Sequence, residues 1–503
     1  MSASARLPVL SCAEAAAAEA AFIGGDAALA WKLMDRAARG VAAEALALLG
    51  RRPARILVLA GKGNNGADAF LAALRCARPG AQIVAVFAEG GPARAQAQRA
   101  WAVRKKGVRI GVVAAANLGQ LAAQEFDLIF DGILGQGFRA PLTAGLRAFL
   151  RATEALRGLR IAVDLPSGLG DDAAGPAFRA DLTVSIGCLK RPLLAPRSAR
   201  FVGRLRVLDI GLPLGETEEA CVTRAALASL RRPRRARSDK RHQGRVLIIG
   251  GSERMPGAVL MNTAAAFRSG AALVTTCLPE SVRAKAAVAY PEAMWRGLRT
   301  ERSGVLARSN LRALRPLIAD KDALLIGSGM GEPAARLIGS VVASGDTALV
   351  LDADALRPAA LAASKKAAVR VLLPHAGEFR RLSGRDASVS AARAYARKTK
   401  TIVVLKGPVT CVTDGLRVIH VPFGGPVLAR GGSGDLLAGI VASVLARREE
   451  LGVTAFDAVV LATTWHARAA DWLSGTHGEE AVRTTDLLAG LSPVLRDQDR
   501  AAG

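Results

Sequence analysis

The 503-residue sequence is poor in aromatic residues, which make up 4% of it, with only two tyrosines among them. No basic stripe interleaves with aromatics, so the stacking platform that single-stranded nucleic acid requires is missing. Cysteine is also sparse. Cys12, Cys76, Cys188, Cys221, Cys277 and Cys411 stand singly, with no Cys-x-x-Cys and no histidine at ligand spacing. That excludes a structural zinc site and fits reduced, mostly buried thiols. No apolar run approaches the roughly 18 residues of a membrane span. The opening stretch MSASARLPVLSCAEAAAAEA carries Glu14 and Glu19 where a secretory signal would keep a clean apolar segment. A cytoplasmic protein with no membrane partner is therefore expected.

What is abundant is positive charge and small apolar residues. Lys and Arg number 69 against 43 Asp and Glu, for a formal net charge of +26, and 51% of the chain is hydrophobic. The charge is spread along the chain, which suits attraction of anionic small molecules better than recognition of nucleic acid, and nucleic acid is not an expected partner. The length exceeds one ordinary core and implies two or three domains.

Short runs rich in Val, Ile and Leu recur in both halves, separated by segments long enough for helices. The first series is RILVLA (55–60), QIVAVFA (82–88), VRIGVV (108–113), FDLIFDGIL (126–134), RIAVDLP (160–166), DLTVSIG (181–187) and RLRVLDIG (204–211). Continuous apolar strands alternating with helices imply a parallel sheet covered on both faces. The pattern stops after Gly215, where a basic, Pro-containing stretch (216–240) reads as a linker. A second series runs from GRVLIIGGS (244–252) to LRVIHVPFGG (416–425), and ARGGSGDLLAGIVASVLA (429–446) then opens a helix. The two halves share rhythm but not residues, so two different α/β domains are expected, at 1–215 and 241–495.

Ligands of open α/β sheets sit beyond the carboxyl ends of strands. In the second half the strongest signal there is GGSGD, Gly431 to Asp435, directly before a helix. Glycines let the backbone approach an anion, and the helix N-terminus aims N–H groups at it. A carboxylate beside a phosphate site is unfavourable unless Asp435 moves a proton of the reacting hydroxyl; an ordinary N-cap is the alternative. KGPVT, with Lys406, Gly407, Pro408, Val409 and Thr410, follows a strand and could hold nucleotide phosphates or be a surface turn. PHAGEF places His375 and Glu378 at a strand end, GSGMG (327–331) permits close approach, and LDADAL supplies Asp352 and Asp354 as magnesium-side carboxylates or helix caps.

These motifs, in this order, resemble the C-terminal domain of the NAD(P)H-hydrate repair proteins, over nearly all of residues 240 to 490. The resemblance implies a ribokinase-like α/β fold and an ADP-dependent (S)-NAD(P)H-hydrate dehydratase that uses Mg2+. It assigns Lys406 to Thr410 and Gly434 to the adenosine nucleotide, and Ala258, Gly329 or Gly331, His375 and Asp435 to the hydrated dinucleotide, with Asp435 catalytic. Arg430 stands where the family usually has Thr, and Ala272 where it has Gly.

In the first half GKGNNGADAF (61–70) is a Gly-rich turn without the spacing of a phosphate loop. Asn65, Asp131 and Ser167 sit at the ends of neighbouring strands. One amide, one carboxylate and one hydroxyl suit a monovalent cation, although each could merely cap a helix or turn a loop. GKGNNGADA, FDGILGQGF, DLPSGL and TVSIGCLK resemble the N-terminal, NAD(P)H-hydrate epimerase domain of the same proteins. That resemblance implies a Rossmann-like three-layer αβα fold with potassium on Asn65, Asp131 and Ser167. It places the hydrated dinucleotide against Asn64, Asn65, Gly66, Ala67, Asp68, Gly135, Gln136, Gly137, Phe138, Arg139 and Asp164, with Asp164 as candidate base. The family's GNNGGDG is here GNNGADA; if Ala67 opens a helix, nothing is lost.

The expected activity is repair of hydrated NADH and NADPH, with the R and S epimers interconverted and the S form dehydrated with ADP, by a homo-oligomer. The alternatives are a ribokinase-like, ATP-dependent kinase of a small hydroxylated metabolite and, for the N-terminal domain, an RNA-binding scaffold.

Overall fold

The computed structural model describes residues 5–172, 175–231 and 244–496. The chain divides into two compact units, one formed by Arg6–Thr223 and the other by the chain from Arg224 on.

Among the described residues, the first unit holds a seven-stranded sheet in the order Arg109–Val113, Gln82–Phe87, Arg55–Ala60, Glu125–Gly132, Arg157–Val163, Leu182–Ile186, Arg204–Leu208. Every pairing in it is parallel. The apolar runs are buried on both faces because helices cover both. Ile56, Val58 and Ala60 point into a core with helices Ala27–Leu49 and Asn64–Cys76, while Leu57 and Leu59 point into the opposite core with Leu146, Phe149 and Leu150. Strand order reverses between Arg55–Ala60 and Glu125–Gly132, which opens a crevice at their carboxyl ends. Arg6–Leu10 pairs separately, antiparallel with Glu219–Val222 and parallel with Leu189–Lys190.

Part of the expected linker is therefore ordered. The apolar Ala220, Cys221 and Val222 are buried in a strand, and Arg224–Arg231 forms 3-10 turns whose Ala226 and Leu227 are buried. Residues 232–240 of that stretch lie outside the described residues.

In the second unit parallel strands run in the order Met294–Leu298, Leu273–Pro279, Arg245–Ile249, Ala323–Ile326, Ala348–Leu351, Arg370–Leu372, Ile402–Leu405. Two antiparallel strands, Thr410–Thr413 and Val418–Val421, follow. Their connections are too short for the crossover that parallel pairing demands. Here the order reverses between Arg245–Ile249 and Ala323–Ile326. Helix Ser433–Ala446 is buried from Leu436 to Ala446 and packs on Pro256–Arg268 and Ala455–His477. No helix among the described residues is long and apolar enough to cross a membrane. All six cysteines are buried, and burial pushes the thiols of Cys12, Cys76 and Cys277 up to about 12.

Candidate functional site

In the first unit a cavity of about 560 Å³ opens at the sheet's reversal point. Helix Asn64–Cys76 begins there on Gly63 without a side-chain cap, so its first N–H groups are free to face a ligand. Glycine makes this approach possible: a Cβ on Gly132 would lie 2.6 Å from both Ala69 Cβ and the Asn65 carbonyl oxygen. Ala67 and Ala69 are buried in regular helix, and Ala67 is absent from the positive-φ positions, so the helix-opening expectation describes their conformation.

The Asn65, Asp131 and Ser167 side chains converge on the turn that follows strand Glu125–Gly132. Ser167 Oγ donates to Asp131 Oδ1 at 2.6 Å, its N–H to Asp131 Oδ2 at 2.7 Å, and Asn65 Nδ2 donates to the Leu134 carbonyl at 2.8 Å. With its nitrogen engaged, Asn65 has its amide oxygen left to offer. Asp131 is fully buried, and desolvation raises its pKa to about 6 in spite of these hydrogen bonds. A buried carboxylate of this kind gains from a nearby cation, so the all-oxygen set fits a monovalent ion.

The cavity wall holds Asn64, Asn65, Asp68, Gly135, Gln136, Gly137, Phe138 and Asp164. Arg139 is not brought to it; the guanidinium turns back onto the carbonyls of Gln136 and Phe138. Asp164 adopts φ 68°, a left-handed conformation that Asp tolerates better than most residues. Its Oδ1 accepts from Ile186 N–H at 3.0 Å and from the ammonium of Lys190, which also bonds the Ile186 carbonyl. Burial would lower the Lys190 pKa, but the Asp164 carboxylate outweighs it and holds the ammonium charged. Lys190 and Glu19 line the cavity too and were not expected as site residues. Lys190 ends the quoted TVSIGCLK, a signal that could have found it; Glu19 lies in an alanine-rich helix with no signal of its own.

In the second unit the residues expected from the motifs meet at the sheet's carboxyl edge. Gly432, at φ 89°, precedes helix Ser433–Ala446 and leaves its N-terminus without a side-chain cap. Asp435 is therefore not the N-cap. Desolvation, reinforced by Asp352, raises its pKa to about 6. Lys406 Nζ lies 3.1 Å from Asp352 Oδ1 and 3.7 Å from Glu378 Oε2, and 3.3 Å from where a Cβ on Gly434 would be. His375 caps its helix: Nδ1 accepts from the N–H groups of Gly377 and Glu378 at 3.0 and 3.3 Å, while Glu378 accepts from His375 N–H at 2.8 Å. Nδ1 is thus the accepting nitrogen, and Nε2 of the exposed imidazole lies 3.5 Å from Glu378 Oε2.

Gly329, at φ 66°, lies against Ala258, whose Cβ is 3.0 Å from the place of a glycine Cβ; Gly331, at φ 78°, donates its N–H to Asp354 Oδ2 at 2.7 Å. Asp354 thus ties down the GSGMG loop, and Asp352 pairs with Lys406 and caps nothing with its side chain. Gly407, Pro408, Val409 and Thr410 form the turn after Lys406, with Thr410 Oγ1 donating to the Gly407 carbonyl at 3.4 Å. Arg430 points away, onto the carbonyls of Glu479 and Glu480 at 2.9 and 3.3 Å. Two further polar residues emerge. Asn262 Nδ2 donates to the Asp435 carbonyl at 2.7 Å, and buried His466 lies 3.5 Å from Ser433 Oγ, its pKa lowered to about 4, chiefly by desolvation.

Two doubly covered α/β units, each with an uncapped helix N-terminus and carboxylates of raised pKa at its sheet's reversal point, define an enzyme of small anionic metabolites. Comparison with known proteins agrees in both units. A family model described as YjeF-related protein N-terminus matches residues 30–192, and one described as NAD(P)H-hydrate dehydratase matches residues 246–492. The bifunctional NAD(P)H-hydrate repair enzyme of Moorella thermoacetica is 33% identical, the match covering 88% of each chain. That of Thermofilum pendens is 31% identical over 92% of this chain and 91% of its own. The solved ADP/ATP-dependent NAD(P)H-hydrate dehydratase of Bacillus subtilis, co-crystallized with ATP and Mg2+, is 26% identical over 55% of this chain and 96% of its own, with a TM-score of 0.47. The chain belongs to the bifunctional NAD(P)H-hydrate repair enzyme family. A likeness that runs through both units does not favour the small-molecule kinase.

Proposed function

We propose that the chain repairs hydrated NADH and NADPH, with the unit Arg6–Thr223 interconverting the R and S epimers and the unit from Arg224 on dehydrating the S epimer with ADP. The observation that carries this reading is the pair of separate sites, one at each sheet's reversal point, in a chain that matches this family along both. A dehydratase selective for one epimer leaves the other stranded, and a fused epimerase supplies it.

In the dehydratase unit the N-terminus of helix Ser433–Ala446, Lys406 and the turn Gly407 to Thr410 hold the nucleotide phosphates. Ala258, Gly329, Gly331 and His375 face the dinucleotide, and Gly434 leaves room for the nucleotide beside Lys406. Ionised Asp435 takes the proton of the substrate hydroxyl, and the oxygen attacks the terminal phosphoryl of ADP as AMP departs. Phosphate then leaves the ring carbon as the neighbouring carbon gives up a proton and the double bond returns. Asp352 or Glu378 would hold Mg2+, which would supply charge neutralisation to the phosphates; one or two carboxylates suffice for it.

In the epimerase unit Asn65, Asp131 and Ser167 would hold potassium, which would balance the buried Asp131 carboxylate at the turn before Gly135. Asn64, Asp68 and Asp164 face the hydrated ring, and Asp164, paired with Lys190, is the base. The protein works in the cytoplasm, where hydrated nicotinamides arise, and as a homo-oligomer.

The test supplies each purified epimer separately and follows NADH formation with and without ADP. Formation from S that requires ADP, together with formation from R faster than spontaneous epimerisation allows, is expected. Consumption of ATP with a sugar or vitamin alcohol, and no NADH from either epimer, would select the kinase instead.

A further inference from the structure

Hydration of an enamine double bond puts the hydroxyl on the carbon next to the ring nitrogen. Epimerisation there breaks the C–O bond on one face and remakes it on the other, so the site needs a proton donor for the departing hydroxyl and a base for the incoming water. Asp164 pairs with the ammonium of Lys190 and suits the base. The donor must be a group that stays protonated.

Two carboxyl groups on the same cavity wall meet that need. Asp68, in the first turns of helix Asn64–Cys76, has a buried Oδ1 with no hydrogen-bond partner. Glu19 reaches the wall from helix Cys12–Ile23 and accepts a hydrogen bond from Gln136 Nε2. That helix is firmly placed. Ser11 and Glu14 form a capping box, and Asp171 accepts from the N–H groups of Cys12 and Ala13 at 2.8 and 3.1 Å. The charged groups facing the pair are Asp164 and Lys190, with the exposed Lys62, Glu89 and Arg94 elsewhere on the wall.

We propose that Glu19 is a positioning residue of the N-terminal site, acting through Asp68 by supplying it with the proton that Asp68 hands to the departing hydroxyl of the hydrated nicotinamide. This rests on the epimerase reading above. Asp68 gives its proton to the hydroxyl, which leaves as water while the ring nitrogen's lone pair forms the C=N bond. Water then adds to the opposite face and Asp164 takes its proton, which it releases to solvent to complete the cycle. Glu19 reprotonates Asp68 and is itself recharged from solvent. Burial first, then the like charges of the neighbouring carboxylates, raise both pKa values, Asp68's well above the usual range. Two like charges in one desolvated site cannot both ionise readily.

The experiment uses the full chain with pure R epimer and excess ADP, and in parallel pure S epimer. Glu19→Gln should lower kcat for NADH formation from R by roughly a hundredfold or more, with KM for R near that of the wild type and S turnover unchanged. It should also move the alkaline limb of the R profile to lower pH, because removing the Glu19 charge makes Asp68 easier to ionise. Glu19→Asp, which keeps the carboxylate, should recover part of the rate and retain the wild-type limb. R turnover by E19Q equal to the wild type, or a raised KM with kcat intact, overturns the proposal while leaving the epimerase reading standing. Wild-type protein that converts R no faster than buffer does overturns both.

Discussion

Lys190 extends its ammonium into the interior of the N-terminal unit to meet Asp164 Oδ1, with side chains only 2% and 8% exposed. The strand pair that positions it, Leu10 beside Lys190, also starts the chain toward helix Cys12–Ile23 and Glu19. One ion pair thus links the candidate base to the element that carries Glu19.

Replacing Lys190 by Met leaves the Asp164 carboxylate buried without its partner, and about 3–5 kcal/mol of stability should be lost from the N-terminal unit. Because the ammonium's pKa is raised above 10.5 in the folded state, its contribution is complete below that pH and disappears as pH rises through the folded value. Thermal melts of wild type and K190M should therefore differ most near neutrality and converge in strong alkali. A K190M protein with wild-type stability at pH 7 would mean that the pair contributes nothing.

Asp435 carries a pKa raised to about 6, so its carboxylate is fully ionised only above that value. NADH formation from the S epimer should fall on the acid side of about pH 6. D435N should lose roughly two to four orders of magnitude in kcat across the range. The sign for stability is opposite. A raised carboxyl pKa means that the folded state resists ionisation, a penalty that grows between about pH 4 and 6 and persists above. D435N should therefore stabilise the second unit at pH 7 by the order of 1–3 kcal/mol. A variant that is both inactive and less stable would contradict the raised pKa.

Both sheets were legible in the sequence, because strands covered on two faces must be apolar throughout, and RILVLA, FDLIFDG and VLII can be little else. Strands with mixed composition escaped notice: Arg6–Leu10 pairs with Glu219–Val222 and Leu189–Lys190, and Met294–Leu298 lies at an edge. Site residues carried on glycine-rich turns stood out because those turns exist to let a ligand approach. Glu19, Lys190, Asn262 and His466 did not, since each sits in ordinary helix or strand and acquires its role only when chain segments far apart in sequence are brought together. Arg139 followed its neighbours in sequence into the expected set, but its side chain folds back on its own loop.

Ala67→Gly restores the glycine that the family carries in this turn. Since Ala67 is buried at a helical position, the change adds only backbone freedom in the unfolded chain and a small void. It should destabilise the unit by about 0.5–1 kcal/mol in chemical denaturation and leave R-epimer turnover unchanged. A marked gain in turnover would show that the methyl group crowds the substrate.

The proposed potassium can be tested without mutation. Asp131 is buried beside Ser167, with a pKa near 6 set mainly by desolvation, so a cation at Asn65, Asp131 and Ser167 would favour its ionised form. Replacing K+ with a bulky organic cation of the same ionic strength should lower both the melting temperature of the N-terminal unit and turnover of R, and rubidium should restore both more fully than lithium. Asp131→Asn should remove the dependence. The hydrogen bond from Ser167 Oγ can survive on the amide oxygen, but the charge that holds the ion cannot. Dehydration of S serves as the internal control, because a general salt effect would slow it as well. If D131N responds to K+ as the wild type does, the ion binds elsewhere and the three oxygens only brace the turn.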